Sequence, residues 1–247
     1  MVVRDFKTKY LNTVFGSLWA ILNPLAQILI YTLIFSQVMK AKLPAIEDDL
    51  GYSIYLIAGI VSWQFFSEVL NRTQTIFLEQ ANLIKKVNFP RISLPLFVVI
   101  SAAINYMILM ALFILFLFLS HREPAISFIS LVPLLILQQC IACGLGIFFA
   151  TLNVFFRDIG HSMSVVLQFW FWLTPIVYPI EIIPQQLRWI LDLNPLSVII
   201  RSTQDIFLYG FWPVWERLIP VTAFSILCLL LGYFVFRKLN KELVDEL

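Results

Sequence analysis

The chain has 247 residues and a formal net charge of +2, and 60% of its residues are hydrophobic while only 13% are charged. Its mean hydropathy of +0.88 is far above what a water-soluble domain with a polar surface shows, so the composition excludes a soluble globular protein. The sequence therefore predicts an integral membrane protein.

The first predicted element is an amphipathic helix at 1–16, where apolar side chains recur at helical spacing and basic side chains face elsewhere. We expect this helix to lie on the membrane interface, with Arg4, Phe6, Lys7 and Tyr10 among its interfacial residues. A frayed basic tail is the alternative.

Membrane spans are located by the windows between charged residues, because charges are costly in hydrocarbon. Six windows can hold the roughly 20 apolar residues that a helix needs to cross a core of about 30 Å. The predicted fold is all-α, with transmembrane helices at 18–39, 51–70, 92–120, 126–153, 159–180 and 217–236.

The loop between the second and third spans, 72–91, contains the segment NLIKKVNFP at 82–90. On a short helix, Leu83, Ile84 and Val87 cluster on one side while the two lysines point elsewhere. The proline that closes the segment restricts the residue before it and ends the helix. We predict a compact structured knob at this loop.

The region before the last span, 181–213, is apolar but is interrupted by charged residues and prolines, so no piece of it can span. Short re-entrant helices that dip back into the outer leaflet, shielded by protein, satisfy both features. A small external cap packed on the bundle is the alternative.

Orientation follows from the distribution of basic residues. An even number of spans places both termini, the loop 72–91 and the tight turn around Arg157 on one side, and that side carries eleven of the seventeen lysine and arginine residues. The positive-inside rule therefore predicts that both termini are cytoplasmic.

Catalytic and ion-coupled functions find little support in the sequence. No nucleophile has a base nearby, and the chain has neither a glycine-rich phosphate loop nor a metal-ligand cluster. Cys140, Cys143 and Cys228 lie in predicted spans, where packing is the expected role. Glu68, one turn before Arg72, is expected to be a paired interfacial residue rather than part of an ion path. A transporter of this kind would take its energy from a partner.

Three ordered blocks resemble the permease subunits of bacterial ATP-binding-cassette polysaccharide exporters, which move O-antigen, capsule and teichoic acid chains. They are RDFKTKYLNTVFGSLWAILNPLAQILIYTLIF at 4–35, RDIGHSMSVVLQFWFWLTPIVYP at 157–179 and NPLSVIIRSTQDIFLYG at 194–210. An interfacial helix followed by G-x-x-W and N-P at the first span is characteristic of that group.

This resemblance implies a dimer of the chain, working with two separate ATPase subunits that bind ATP and Mg, and no cofactor in the chain itself. The absence of a Walker-type phosphate loop is consistent with that division. The resemblance also implies that a coupling helix sits in a groove of the ATPase, and the matching residues are Asn82, Leu83, Ile84, Lys85, Lys86, Val87, Asn88 and Phe89. A basic loop without a docking role is the alternative.

Aromatic residues make up 15% of the chain and occur in clusters. Belts at the two membrane interfaces account for such clusters. Alternatively, some of the rings line a conduit, because sugar rings can stack on aromatic faces and slide. The candidates for this lining are Trp63, Phe66, Trp170, Trp172 and Tyr178.

The sequence thus predicts a transport subunit rather than an enzyme: a homodimeric permease of the bacterial cytoplasmic (inner) membrane that exports a lipid-linked, O-antigen-like polysaccharide. Its expected partners are the ATPases, a second copy, the polymer and the membrane, with no nucleic acid. Export of teichoic acid, capsule or small lipophilic molecules on the same architecture stays open. So does an integral membrane enzyme acting on lipid-linked sugars, for which His161 with Asp158 is a weak candidate pair.

Overall fold

A computed structural model describes residues 18–34, 50–86, 89–240 and 242–246 of the chain. Two sets of predicted functional residues lie outside the described residues: the interfacial helix at 1–16, with Arg4, Phe6, Lys7 and Tyr10, and Val87 and Asn88 of the coupling segment.

The described residues form α-helices joined by turns and short 3-10 helices, without a β-strand among them. The α-helices in chain order are α1 (Trp19–Thr32), α2 (Gly51–Glu79), α3 (Ala81–Lys86), α4 (Ser93–Leu119), α5 (Leu131–Phe155), α6 (Asp158–Trp172), α7 (Arg188–Leu193), α8 (Pro195–Tyr209), α9 (Trp215–Leu239) and α10 (Glu242–Glu246). The 3-10 helices are Ile126–Ser130, Ile180–Ile182 and Gln185–Leu187.

Four of the described helical segments are long and apolar enough to cross a membrane. They are Gly51–Glu79, Ser93–Leu119, Ile126–Phe155 and Trp215–Leu239, and they correspond to the predicted spans 51–70, 92–120, 126–153 and 217–236. By contrast, α1 has 14 residues and α6 has 15, so each measures only about 22 Å. The all-helical membrane fold is therefore confirmed, and the count of six spans stays a prediction.

Helix α2 differs from its predicted bounds because it continues past residue 70 to Glu79. The added turns bury Ile76 and Phe77, and the Phe77 ring lies 5.6 Å from the ring of Phe236 on α9. The expected loop at 72–91 thus begins as helix, because apolar contacts with α5 and α9 hold it there.

The centre of the bundle is α2. Within its most apolar window, 83% of the residues are buried inside the chain, compared with 17% in α4 and 28% in α9. The outer faces of α4 and α9 are apolar and exposed, as expected of surfaces that meet lipid or another subunit. Every other element that matters for function is placed by its contact with α2 or α5.

Helices α5 and α9 approach each other closely at Gly144 and Gly232. A Cβ added at Gly144 would lie 2.4 Å from the carbonyl carbon of Cys228, and one at Gly232 would lie 2.3 Å from the Gly144 carbonyl oxygen. Small residues allow such close backbone packing in membrane helices. Cys228 is buried at this contact, while Cys140 and Cys143 are partly buried on α5.

Candidate coupling segment and translocation surfaces

The predicted coupling segment is an extension of α2. Residue Gln80 separates α2 from α3, and its carbonyl oxygen accepts hydrogen bonds of 2.9 Å from the backbone N–H groups of Leu83 and Ile84. Ile84 is buried in a second apolar core with Phe77 and Phe236. The segment is therefore fixed to the end of the bundle by its own apolar residue.

This placement changes the surface that the segment can offer to a partner. The sequence predicted that Leu83, Ile84 and Val87 cluster on one side of a short helix, but Ile84 is only 6% exposed because it packs into the chain's own core. Leu83 is half-buried, and the exposed side chains of α3 are those of Asn82, Lys85 and Lys86. Among the described residues of the segment, the available surface is thus polar and basic.

The C-terminal end of the coupling segment is anchored by contacts with the end of α9. Phe89 is half-buried and packs against the second core. Two residues later, the Nη1 group of Arg91 donates hydrogen bonds to the backbone oxygen and the Oδ1 of Asn240, at 2.6 and 2.5 Å. These bonds tie the start of α4 to the end of α9 directly beside the coupling segment.

Two of the residues predicted to line a conduit are packing residues. Phe66 has no exposed surface and Trp63 is 7% exposed. The ring of Trp63 lies 5.6 Å from that of Phe171, and the ring of Phe66 lies 5.4 Å from that of Trp170. Because the rings fill the contact between α2 and α6, Phe66 presents no ring face to a lumen, and the lining role predicted for this pair is corrected to packing.

Trp170 connects α6 to the start of α8 through Asn194. Its indole N–H donates a hydrogen bond of 3.0 Å to the Asn194 side-chain oxygen, which also accepts 3.1 Å from the backbone N–H of Leu196. The amide nitrogen of Asn194 donates 2.9 Å to the hydroxyl of Thr174. One side chain thus caps α8 and holds both α6 and the turn that follows it.

Asn194 was not among the residues predicted to be functional, although the sequence carries a signal for it. Asparagine is a favoured N-cap, and proline is favoured at the first helical position. The Asn194-Pro195 pair therefore marks the start of α8, where the structure shows this cap.

The irregular turn at 173–179 is held by the N-terminal half of α2. The hydroxyl of Tyr55 donates to the carbonyl oxygens of Pro175 and Tyr178, at 3.1 and 2.9 Å, and that of Tyr52 donates to the carbonyl of Val177. These bonds satisfy carbonyl groups that have no partner within a helix, so the turn is tolerated inside an apolar bundle.

Helix α8 also contacts this turn through Gln204. Its side-chain amide donates to the carbonyl oxygens of Tyr55 and Ile176, both at 3.3 Å. The approach depends on Gly59, where an added Cβ would lie 2.6 Å from the Gln204 amide nitrogen. Within the predicted external region at 181–213, α8 is therefore packed against α2, whereas most residues of 181–190 are exposed.

Charges in this external region are arranged around α8. Arg201 lies 3.9 Å from Asp192 on α7. Neighbouring protein atoms withdraw water from the Asp205 carboxyl and raise its pKa above the ordinary value, while Arg201 opposes this shift. The charged side chains of α8, Arg201 and Asp205, thus lie on its less buried face.

Trp172 and Tyr178, the remaining conduit candidates, lie at the surface of the protomer. Trp172 is 58% exposed, and the partly buried Tyr178 donates a hydrogen bond of 2.7 Å from its hydroxyl to the Trp172 carbonyl oxygen. Phe169 and Leu173 beside them are 67% and 55% exposed. Together these residues form an exposed apolar face at the end of α6.

A polar stripe runs along the C-terminal half of α2. Glu68 lies 3.4 Å from Arg72, which confirms the predicted pairing, and it also accepts 2.9 Å from the Asn105 amide on α4. The Arg72 guanidinium lies 3.4 Å from the Ser101 hydroxyl. The two charges are thus neutralised by each other and by polar groups of α4.

The pair considered for an enzyme does not form a joint site in the structure. His161 is exposed at the start of α6, and among the described residues no hydrogen bond joins its side chain to that of Asp158. Nor do the described residues include a cluster of three or more histidine, cysteine or acidic side chains that could hold a metal.

Comparison with known proteins agrees with this architecture. The family model of the ABC-2 type transporter matches residues 1–208. An O-antigen export system permease protein, RfbA, of Klebsiella pneumoniae is 32% identical over 246 residues, which cover 99% of this chain and 92% of the relative. The RfbA permease of Myxococcus xanthus is 28% identical, and the polysialic acid transport protein KpsM of Escherichia coli is 23% identical, each covering all of this chain and 94% of the relative. The resemblance drawn from the three sequence blocks is thereby confirmed, and the chain belongs to the ABC-2 type transporter family.

Proposed function

We propose that the protein is the membrane-spanning subunit of an ATP-driven exporter that moves a lipid-linked, O-antigen-like polysaccharide outward across the bacterial cytoplasmic membrane. The observation that carries this proposal is the 32% identity to an O-antigen export permease along 99% of the chain. The lower identity of 23% to a polysialic acid transport protein makes O-antigen the preferred class of polymer over capsule.

The proposed topology has six spans with both termini in the cytoplasm. Four spans are the long helices α2, α4, α5 and α9. Helix α1 would supply the first span together with neighbouring residues. Helix α6 and the turn at 173–179 would supply the fifth. Helices α7 and α8 then return into the outer leaflet as the re-entrant segment, which is supported by the apolar face that α8 buries against α2.

Energy would come from two ATPase subunits that bind ATP and Mg, each docked on one copy of this chain. The proposed docking element is α3, because it is short, rigidly attached through Ile84 and carries Lys85 and Lys86 at its surface. A positively charged knob suits an acidic groove, and rigid attachment is what transmission of a movement requires.

The polymer would pass between two copies of the chain. The exposed apolar face at the end of α6, with Phe169, Trp172 and Tyr178, is the proposed outer part of the conduit. Aromatic faces stack on the C–H faces of sugar rings, with contacts of about 1 kcal/mol by analogy with aromatic pairs. Contacts of that size are strong enough to keep a polymer in the conduit but weak enough to release it at each step.

The proposal is tested in a strain that lacks the gene for this chain, with lipid-linked polymer labelled in a pulse and located by its access to an external glycosidase. We expect labelled polymer to accumulate where the enzyme cannot reach it, and the wild-type chain to restore access. If the polymer is never completed in this strain, the chain is instead an enzyme of its synthesis.

The coupling element is tested with the double substitution Lys85→Glu and Lys86→Glu. Both side chains are exposed, so the fold should persist, and we expect loss of ATPase co-purification and of export. The matched control, Gln185→Glu with Gln186→Glu, also places two adjacent carboxylates at exposed positions, but in the external region, and it should export normally. Export by the lysine variant at the level of the control would contradict the docking role of α3.

A further inference from the structure

A cleft of about 390 Å³ lies at the end of the bundle where α4 begins and α9 ends. One wall is formed by Phe89, Arg91 and Ile92, and the other by Tyr233, Arg237 and Asn240. The volume is enough for the polar headgroup of a lipid, and the cleft is distinct from both the coupling surface of α3 and the aromatic face of α6.

The cleft is basic, since its described lining includes two arginines and no acidic residue. The Arg91 guanidinium is fixed because its Nη1 group is bonded twice to Asn240. A guanidinium carries more N–H donors than this one nitrogen uses, so a second acceptor can bind to the same group. Arg237 is exposed at the rim, where it can approach the same acceptor.

The position of the cleft determines what kind of anion can reach it. Ser93 starts α4 and Leu239 ends α9, so the arginines lie at the boundary between hydrocarbon and headgroups. Ile92 and Tyr233, which are 40% and 51% exposed, give the cleft an apolar flank. A ligand with a phosphate and adjoining acyl chains fits this pairing of charge and apolar surface.

We propose that the cleft binds the phosphate headgroup of an anionic phospholipid. Arginine is suited to this ligand because its planar donors match phosphate oxygens, and basic pockets between membrane helices recur as headgroup sites. If the proposed orientation is correct, the bound lipid belongs to the cytoplasmic leaflet. The proposed lipid site does not depend on which substrate is exported.

Occupancy would affect the neighbouring coupling segment. Phe89 lies in one wall of the cleft and also belongs to the coupling segment, while Arg237 lies on α9 and Asn240 caps its end. A headgroup bound between these walls joins the segment's end to α9 by charge-assisted contacts, in addition to the bonds of Arg91. The lipid thereby acts as a structural ligand of the region proposed to receive movement from the ATPase.

The test uses the full chain reconstituted in bilayer nanodiscs of phosphatidylcholine with a minor fraction of phosphatidylglycerol. Native mass spectrometry then counts the phosphatidylglycerol retained after the bulk lipid is removed. We expect Arg91→Gln and Arg237→Gln each to lower retention about fivefold. The control Lys238→Gln removes the same charge from the next residue of α9, which does not line the cleft, and it should retain lipid like the wild type.

Three results bear on the interpretation. Loss of retention in Lys238→Gln equal to that in Arg237→Gln would overturn the proposal in favour of general surface charge. Millimolar inorganic phosphate could instead displace the retained lipid and bind equally well in discs without phosphatidylglycerol. That result would overturn the proposal, because the cleft would then be a site for free phosphate rather than for a lipid headgroup. Because Arg91→Gln also breaks the bonds to Asn240, Arg237→Gln decides the case if that variant misfolds. Restored retention in Arg237→Lys would support a charge contact in the cleft.

Discussion

Gly144→Ala and Gly160→Ala are expected to affect the stability of the protein differently, because Gly144 lies at the close contact of α5 with α9 and Gly160 does not. In Gly144→Ala, the added Cβ would lie 2.4 Å from the Cys228 carbonyl carbon, and 2.6 Å from both the Cys228 oxygen and the Leu229 nitrogen. All three are backbone atoms, so no side chain can rotate away. Ordinary contact distances require the two helices to separate by roughly 1 Å, a change that resembles overpacking of a core.

The magnitude follows from two opposing terms. Overpacking costs about 1–3 kcal/mol, while replacing glycine by alanine in a helix stabilises by up to about 1 kcal/mol. The net expectation for Gly144→Ala is a loss of about 1–2 kcal/mol. At Gly160 the nearest atom to an added Cβ is the Asn153 side-chain nitrogen at 3.1 Å, which needs to shift by only a few tenths of an ångström within its hydrogen bonds to Gln74 and Gly160. Gly160→Ala should therefore be neutral or slightly stabilising.

The assay is the fraction of folded protein after heating in detergent, followed by size-exclusion chromatography, with both variants compared with the wild type. A lower midpoint for Gly144→Ala and an unchanged or higher one for Gly160→Ala are expected. If the two alanine variants melt together, helix propensity alone governs both positions, and α5 and α9 do not pack as closely as described.

Three further predictions concern topology, the Asn194 bonds and the conduit. The topology is tested in a chain with alanine at positions 140, 143 and 228, which removes the native cysteines. In intact cells, Gln186→Cys should react with an external membrane-impermeant thiol reagent and Lys86→Cys should not. The reverse pattern would invert the topology. Asn194→Ala should lower the heating midpoint, with a cost of about 2–4 kcal/mol from the lost cap and the unpaired Trp170 indole. Asn194→Asp keeps both acceptor bonds and should lose less stability. Equal losses in the two variants would assign the effect to the bond with Thr174. Trp172→Leu should lower export at an unchanged midpoint, while the buried Trp63→Leu should lower the midpoint; normal export by Trp172→Leu would leave that face to lipid or a second copy.

Span positions could be predicted from the sequence wherever charge limits an apolar run. Helix α4 spans Ser93–Leu119, close to the predicted 92–120, because Arg91 and Arg122 flank an uncharged stretch. The end of α2 could not be found in this way. Glu68 and Arg72 resemble the boundary of a span, but they neutralise each other and are bonded to α4, so the helix continues beyond them. A local i,i+4 ion pair, supported by tertiary hydrogen bonds to α4, overrides the cost on which the prediction depended.

The orientation of aromatic side chains could not be predicted, because apolar residues occur on every face of these helices. Trp63 and Trp172 belong to similar aromatic clusters in the sequence, but one is 7% exposed and the other 58%. Their difference depends on which neighbour covers each face: α2 covers one side of α6 and leaves the other bare. Likewise, the apolar spacing of Leu83 and Ile84 predicted a shared face, but it did not show that the chain's own core occupies the Ile84 side.

Helix α2 connects the two regions on which the proposed mechanism depends. Its 29 residues extend about 43 Å, with Tyr55 bonded to the external turn near one end and Phe77 packed with the core of α3 near the other. Helices α1 and α9 each contain a proline, which weakens a helix as a rigid link, whereas α2 has none. If an ATPase moves α3, the displacement cannot be absorbed by a break in α2 before it reaches the turn at 173–179. The carbonyl groups of that turn are held by Tyr55 and Gln204, so the turn must follow α2, and Trp172 and Tyr178 at its two ends follow with it. Helix α2, joined to α3 at Gln80, thus relates the basic surface proposed to receive the movement to the aromatic surface proposed to contact the polymer.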